Sequence, residues 1–251
     1  MSTTNIYGLI GKTLAHSFSQ RFFKEKFKQE EIHARYENFE LENIEEVQFL
    51  LKRRDIRGLN VTIPYKESVM NYLDEISSEA QAIGAVNTIV FNDGKTVGHN
   101  TDAYGFRQSI KPFLRNVHDR AIILGTGGAA KAIAYVLENI GVEVIYLSRA
   151  PKSEQEFSYT EANEFMINSR KLIVNCTPIG TFPNVDDVPP IPLNSFTQDH
   201  LVVDLIYNPE KTRLLKHAEK SGTDILNGYS MLKHQALKSW ELWNNNNSLL
   251  S

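Results

Sequence analysis

Residues 121–130 read Ala121-Ile122-Ile123-Leu124-Gly125-Thr126-Gly127-Gly128-Ala129-Ala130. Four apolar residues in a row, without alternation, are the mark of a strand covered on both faces. The glycines make a tight turn, and the run to about Asn139 reads as a helix ended by Gly141. A strand entering a helix through Gly-x-Gly-x-x-Ala brings backbone amides and a positive helix end to one point, where a pyrophosphate can sit. Gly125, Gly127 and Ala130 meet that pattern. Turns of this kind also serve packing alone, so the flanks have to arbitrate.

They do so at the end of the next strand, Val142 to Leu147. About 20 residues beyond the turn, where an NAD-binding chain places an acid for the ribose hydroxyl, stand Ser148-Arg149, with Lys152 close behind. An acid there would repel a 2′-phosphate, whereas a guanidinium can pair with it bidentately. The coenzyme expected is therefore NADP (NADPH), held by Gly125, Thr126, Gly127, Gly128, Ala129, Ser148, Arg149 and Lys152.

Further along, Leu172 to Asn175 and Leu201 to Ile206 are two more short apolar runs, and alternation of strand with helix argues for a parallel sheet covered on both sides. Phe182 to His200 holds four prolines and reads as an irregular surface loop. Lys211 to Lys220 reads as a helix stopped by Gly222. The last helix, Met231 to Trp243, is expected to pack Leu232, Leu237 and Trp240 on a core. The asparagine run Asn244 to Asn247 reads as a frayed tail.

Toward the N-terminus, Ile6 to Ile10 reads as a strand, followed by a loop with His16, Ser17 and Ser19. Phe22, Phe23 and Phe27 fit an amphipathic helix. Tyr36 to Phe39 and Gly58 to Ile63 read as strands, with a helix around Ile44 to Leu51 between them. Pro64 ends the second strand and lets Lys66 begin a new helix. Ala85 to Phe91 and Thr96 to Asn100 flank a turn whose Asp93-Gly94 pair signals a hairpin. Asp102 precedes a helix from Ala103 to Leu114, with Phe106, Ile110, Phe113 and Leu114 on its buried face, and an N-cap is the ordinary reading of an aspartate so placed.

A formal net charge of -3 over 251 residues provides no basic excess for binding nucleic acid or an acidic membrane. The single cysteine, Cys176, excludes an intrachain disulfide and a cysteine-based zinc cluster, and no metal site is expected. Met1 to Tyr7 lacks the apolar run of a signal peptide, and no stretch approaches the roughly 18 apolar residues of a membrane span. The expectation is a cytoplasmic protein.

Seven stretches remain. His16-Ser17-Phe18-Ser19, Asn60-Val61-Thr62-Ile63-Pro64-Tyr65-Lys66, Gly84-Ala85-Val86-Asn87-Thr88 and Gly98-His99-Asn100-Thr101-Asp102 lie in the first half. Asn175-Cys176-Thr177-Pro178-Ile179-Gly180, Tyr207-Asn208-Pro209 and Gly228-Tyr229-Ser230-Met231-Leu232-Lys233-His234-Gln235-Ala236 lie in the second. Together, in order and spacing, they resemble the shikimate dehydrogenase family, from about residue 6 to residue 240. The chain departs from it at Gln20 and Phe22-Phe23, where the family usually has Pro and then His-Asn. Thr126 replaces a common Ala, and Thr181 a common Met.

The resemblance implies an α/β fold of two domains with the active site in a cleft between them. Residues 1–101 with 229–251 would form the substrate domain, and 102–228 a Rossmann-like, doubly wound NADP-binding domain. It implies an NADP-dependent oxidoreductase interconverting shikimate and 3-dehydroshikimate, with Lys66 and Asp102 as its catalytic pair. Ser17 and Ser19 would hold the substrate carboxylate. Thr62, Asn87 and Gln235 would hold the ring hydroxyls, and Tyr207 would stand at the substrate end with Asp102. Leu205 would border the nicotinamide, and Gly228 would let the backbone approach it. The partner is thus a small molecule, and a homodimer stays open as an assembly. A family member that also accepts quinate or uses NAD, and a noncatalytic NADP-binding sensor, stay open as well.

Overall fold

The computed structural model of the chain describes residues 5–15 and 17–245; His16 of the first motif and Asn246 and Asn247 of the asparagine run lie outside them. Two units are present. One runs to Tyr104 and resumes at His234, and the other is Gly105–Lys233.

The first unit is built on six strands: β1 (Asn5–Gly11), β2 (Ala34–Glu40), β3 (Ile56–Val61), β4 (Glu75–Ile76), β5 (Thr88–Asn92) and β6 (Lys95–His99). Their order is β2-β1-β3-β5-β6-β4. β1 pairs parallel with β2 and β3, whereas β5 runs antiparallel to both β3 and β6. The antiparallel pair follows from the Asp93-Gly94 turn, where both residues take positive φ (49° and 82°), the conformation a tight hairpin needs. Its helices are α1 (Phe18–Gln29), α2 (Val47–Leu51), α3 (Ser78–Ile83) and the start of α4 (Thr101–Ile110).

Both faces of this sheet are covered. On one side Ile10, Leu59, Val61 and Ile89 pack with Val47, Leu50 and Val69. On the other side the cover is aromatic. Phe23 of α1 stacks on Tyr36 with centroids 4.7 Å apart, and Trp243 lies 5.0 Å from Tyr7 and 5.3 Å from Phe23. Phe23 thus takes up one of the family departures as a core residue, fully buried. Trp243 also donates its indole N–H to the Ile89 carbonyl at 3.0 Å. Its ring lies directly over Gly58, where a Cβ would collide with it.

The second unit contains β7 (Arg120–Leu124), β8 (Glu143–Ser148), β9 (Glu156–Ser158), β10 (Leu172–Asn175), β11 (Leu201–Asp204) and β12 (Asp224–Asn227). All pair in parallel, in the order β12-β11-β10-β7-β8-β9. This is the doubly wound order, with its switch point between β7 and β10. Helices α5 (Gly128–Glu138), α6 (Glu164–Ser169) and α7 (Arg213–Lys220) connect strands, and α8 (Tyr229–Asn245) follows β12. Gly141 and Gly222, at φ 83° and 73°, close α5 and α7 as expected. Among the described residues no helix is long and apolar enough to cross a membrane.

Four local expectations are corrected. Lys66 does not begin a helix; it lies in a turn ahead of a 3-10 segment, Ser68–Tyr72. Asp102 is not the cap of α4 but lies in its first turn. The capping acceptor is the Asn100 side chain, which takes the Ala103 amide at 3.1 Å. Along α8 the buried residues are Met231, Gln235, Ala236, Ser239 and Trp243, and Leu237 is exposed. A helix facing a sheet at Trp243 and Ser239 turns position 237 outward, whatever its hydropathy. The segment Phe182–His200 is irregular, yet Ile191 and Phe196 enter the core with the strands, so it is not purely a surface loop.

Gly58→Ala is expected to destabilise the protein by about 1–3 kcal/mol, because the indole must leave both its packing and its hydrogen bond. Urea unfolding measures this. A loss below about 0.5 kcal/mol would show that Trp243 is free to shift.

Candidate functional site

The first motif residues to be brought together are Lys66 and Asp102. Tyr65 anchors the Lys66 turn, buried and donating its hydroxyl to the Leu41 carbonyl at 2.6 Å. The Lys66 carbonyl accepts from the Val86 amide at 2.8 Å. From that position Lys66 Nζ reaches Asp102 Oδ2 at 2.6 Å, with side-chain exposures of only 14% and 8%. Screening is weak for a pair so withdrawn from water.

Asn87 holds the other carboxylate oxygen. Its Nδ2 donates to Asp102 Oδ1 at 2.9 Å and to Thr101 Oγ1 at 3.0 Å. The Thr101 backbone amide donates to Asn87 Oδ1 at 2.7 Å, which fixes which way the amide points. A flipped amide would set oxygen against the carboxylate. Gln235 Oε1 stands 3.5 Å from both Asn87 Nδ2 and Thr101 Oγ1, at the edge of hydrogen-bond range.

Beneath this lies a layer of neutral, buried groups. Thr88, Thr101 and Ser239 place their hydroxyls 2.8–3.1 Å apart in a triangle. Asn60 Nδ2 donates into it, 2.9 Å from Ser239 Oγ, and Asn60 Oδ1 accepts from the Tyr36 hydroxyl at 2.8 Å. Burial pushes the Tyr36 phenol far up, and the Ser19 hydroxyl bonding to it opposes this. Ser19 is buried in the first turn of α1, and Ser17 caps that helix, accepting from the Gln20 amide at 3.2 Å. The Ser17 hydroxyl proton is not used by that cap. Thr62 directs its methyl at Gly11, and its backbone amide donates to the Ile10 carbonyl at 2.8 Å.

The second unit assembles the other group. Gly125 takes φ 96° at the end of β7, and a Cβ there would press on the Thr177 methyl at 3.1 Å. Gly127 is the N-cap of α5, with no side-chain cap and no acid in the first turn. Nothing lies within 4 Å of where its Cβ would be. Gly128 and Ala129 are in the first turn of α5, at the positive end of the helix, and Thr126 belongs to the turn that leads into it. An anionic phosphate fits such a cradle. Ser148 ends β8 buried, its Oγ accepting from the Ala150 amide at 3.2 Å, and Arg149 and Lys152 follow it exposed. Gly228 passes so close over Leu205 that a Cβ would collide with the Leu205 carbonyl. Tyr207 lies half-buried in the loop after β11.

No signal in the sequence singles out Thr88, Thr101, Ser239, Asn60 or Tyr36, which form the buried network beneath the pair. The nearest to one is the spacing of Ser239, which follows Gln235 by one helical turn. Asp204, a carboxylate ending a run of buried aliphatics, is likewise unmarked in the sequence.

The chain was compared with known proteins. Residues 9–89 match the family model described as the shikimate dehydrogenase substrate binding domain. A curated relative, shikimate dehydrogenase (NADP(+)) of Clostridium beijerinckii, is 41% identical, over 94% of this chain and 91% of its own. The crystal structure of shikimate dehydrogenase 1 from Peptoclostridium difficile is similar at TM-score 0.84 and 38% identity, covering 96% and 92%. That of the Thermus thermophilus enzyme in complex with NADP(H) and shikimate is similar at TM-score 0.84 and 32% identity, covering 96% and 94%.

Asn87→Asp sets a second carboxyl where the amide now meets Asp102 at 2.9 Å. Two carboxyls in one buried site repel when both are ionised, so the new carboxyl is pushed above its unfolded value. A raised folded pKa means stability that is present below the unfolded value and lost as pH rises through the folded one. The variant should therefore fall further behind wild type at pH about 8 than at pH about 5 by urea unfolding. A deficit independent of pH would refute the amide's place against Asp102.

Proposed function

The chain belongs to the shikimate dehydrogenase family, and we propose that it catalyses the reversible NADPH-linked reduction of 3-dehydroshikimate to shikimate. The observation that carries this reading is the Lys66–Asp102 pair, 2.6 Å apart, nearly buried and locked by Asn87. Reduction of a ketone leaves negative charge on its oxygen, and a group must deliver a proton there. The Lys66 ammonium does so, and in the reverse direction Lys66 takes the hydroxyl proton. Asp102 holds the ammonium in place, aimed at the oxygen on which negative charge develops.

Ser17 and Ser19 bind the substrate carboxylate as neutral donors, Ser17 through the proton its capping role leaves unused. Thr62 and Gln235 bind ring hydroxyls, with Tyr207 at the substrate end. Asn87, whose amide is committed to Asp102 and Thr101, orients the carboxylate as well as meeting a hydroxyl. Gly125, Thr126, Gly127, Gly128 and Ala129 would hold the pyrophosphate of NADP, Ser148, Arg149 and Lys152 its 2′-phosphate, and Leu205 and Gly228 the nicotinamide end. Bound NADPH supplies the hydride. The proposed location, from the single cysteine, is the cytoplasm.

The reading is tested by following nicotinamide absorbance with shikimate and NADP in wild type and Lys66→Ala. Wild type should turn over, and the variant should lose about 10²–10⁴-fold in kcat with a smaller change in shikimate affinity. A folded variant keeping more than about half of wild-type kcat removes Lys66 from the reaction.

Arg149→Ala should cut the preference for NADP over NAD by about ten- to a hundred-fold, as expected for losing one charge-assisted bond of roughly 1.5–3 kcal/mol. The ratio of kcat/KM for the two coenzymes reads this directly. An unchanged ratio would move the phosphate pocket elsewhere.

A further inference from the structure

The turn after β10 and the loop after β11 converge on one carboxylate. Asp204 ends β11 and is completely buried. Its Oδ1 accepts from the Asn175 side-chain amide at 3.0 Å and from the Ile206 backbone amide at 3.1 Å. Its Oδ2 accepts from the Thr212 hydroxyl at 2.6 Å. Burial pushes the carboxyl up to about 6, against these three bonds. A buried carboxylate held only by neutral donors is costly, and apolar packing would stabilise the fold more cheaply. Its geometry shows what it does instead.

Thr212 is the N-cap of α7, accepting from the Leu215 amide at 3.4 Å while donating to Asp204. One hydroxyl thus starts the helix and ties the far end of the loop to its root. The loop so closed carries Leu205 and Tyr207. Its flanks are bonded too: the Gly228 amide donates to the Ile206 carbonyl at 3.1 Å, and the Phe182 amide to the Asn208 carbonyl at 3.2 Å. On the other side, Asn175 Oδ1 accepts from the Thr177 amide at 3.0 Å and the Thr177 hydroxyl at 2.7 Å. The Thr177 methyl then abuts Gly125 of the phosphate turn. A continuous bonded path therefore runs from the Tyr207 loop through Asp204 and Asn175 to the switch point of the sheet.

We propose that Asp204 is a positioning residue. Its carboxylate closes the Leu205–Lys211 loop through Thr212 and holds it in register with the Asn175–Thr177 turn, so that Leu205 and Tyr207 occupy one fixed place. This rests on the reading of those two residues given above. Asp204 itself touches neither substrate nor coenzyme.

Three variants test it. Asp204→Asn keeps the shape but puts an amide that can only donate where the charged acceptor faced Thr212, so that bond is reversed and loses its charge assistance. Thr212→Val removes the hydroxyl, and Thr212→Ser keeps it. Asp204→Asn and Thr212→Val should lower kcat/KM for shikimate by about ten- to a hundred-fold, and Thr212→Ser should restore it to within about threefold. Binding of 2′,5′-ADP, which needs only the phosphate turn and the end of β8, should stay within about twofold of wild type. A parallel loss of 2′,5′-ADP binding, or full activity in both damaging variants, overturns the proposal. If Asp204→Asn fails to fold, Thr212→Val carries the test, since losing a helix cap costs only about 1 kcal/mol. If wild type fails to oxidise shikimate, the proposed function is wrong, and amide hydrogen exchange then decides the clamp separately. Protection of residues 205–211 should fall at least about tenfold in Thr212→Val, and unchanged protection overturns it.

Discussion

An ammonium and a carboxylate taken out of water lose several kcal/mol of hydration each, and their mutual attraction recovers this only when the geometry is fixed and the remaining lone pairs are bonded. Lys66 and Asp102 meet that condition through Asn87. One carboxylate oxygen faces the lysine at 2.6 Å and the other takes the amide at 2.9 Å. The amide is in turn oriented by a backbone N–H of α4, so the pair inherits its geometry from the start of a helix rather than from flexible side chains. The rest of the first unit serves this constraint. The mixed sheet sets β3, β5 and β6 side by side, bringing Asn60, Thr88 and the approach to Thr101 together. The last helix closes the layer with Ser239 and Gln235.

That layer contains hydroxyls and amides but no second charge beneath the pair. A neutral layer fixes position without competing for the lysine proton. Removing one member leaves buried donors or acceptors unmatched, at about 1–3 kcal/mol each. The second unit solves a different problem with the same means. Its parallel sheet delivers several strand ends to one edge, where the glycine turn leads into α5 and Asp204 is hydrogen-bonded to Asn175, Ile206 and Thr212.

Much of this was legible in the sequence because it depended on local chemistry. The unbroken apolar run Ala121–Leu124 and the glycines after it announce a parallel sheet and a tight strand-to-helix turn, and the structure has both. Asp93-Gly94 announced a hairpin. What was illegible depended on long-range packing. Leu237 looked like core by hydropathy, but the face of α8 is decided by where Trp243 finds Gly58, far away in sequence. Pro64 ahead of Lys66 suggests a helix start, while the bond of the Lys66 carbonyl to the Val86 amide holds it in a turn. Thr88, Thr101 and Ser239 are unremarkable singly, and only the topology makes them one network.

The central claim is that Lys66 and Asp102 act as one unit in proton transfer. A double-mutant cycle on kcat with Lys66→Ala, Asp102→Ala and the double variant tests it most directly. Residues acting together are strongly non-additive, so the double variant should be no slower than the slower single variant within about threefold. Losses that multiply, each single effect appearing in full in the double variant, would show two independent contributions and contradict the account.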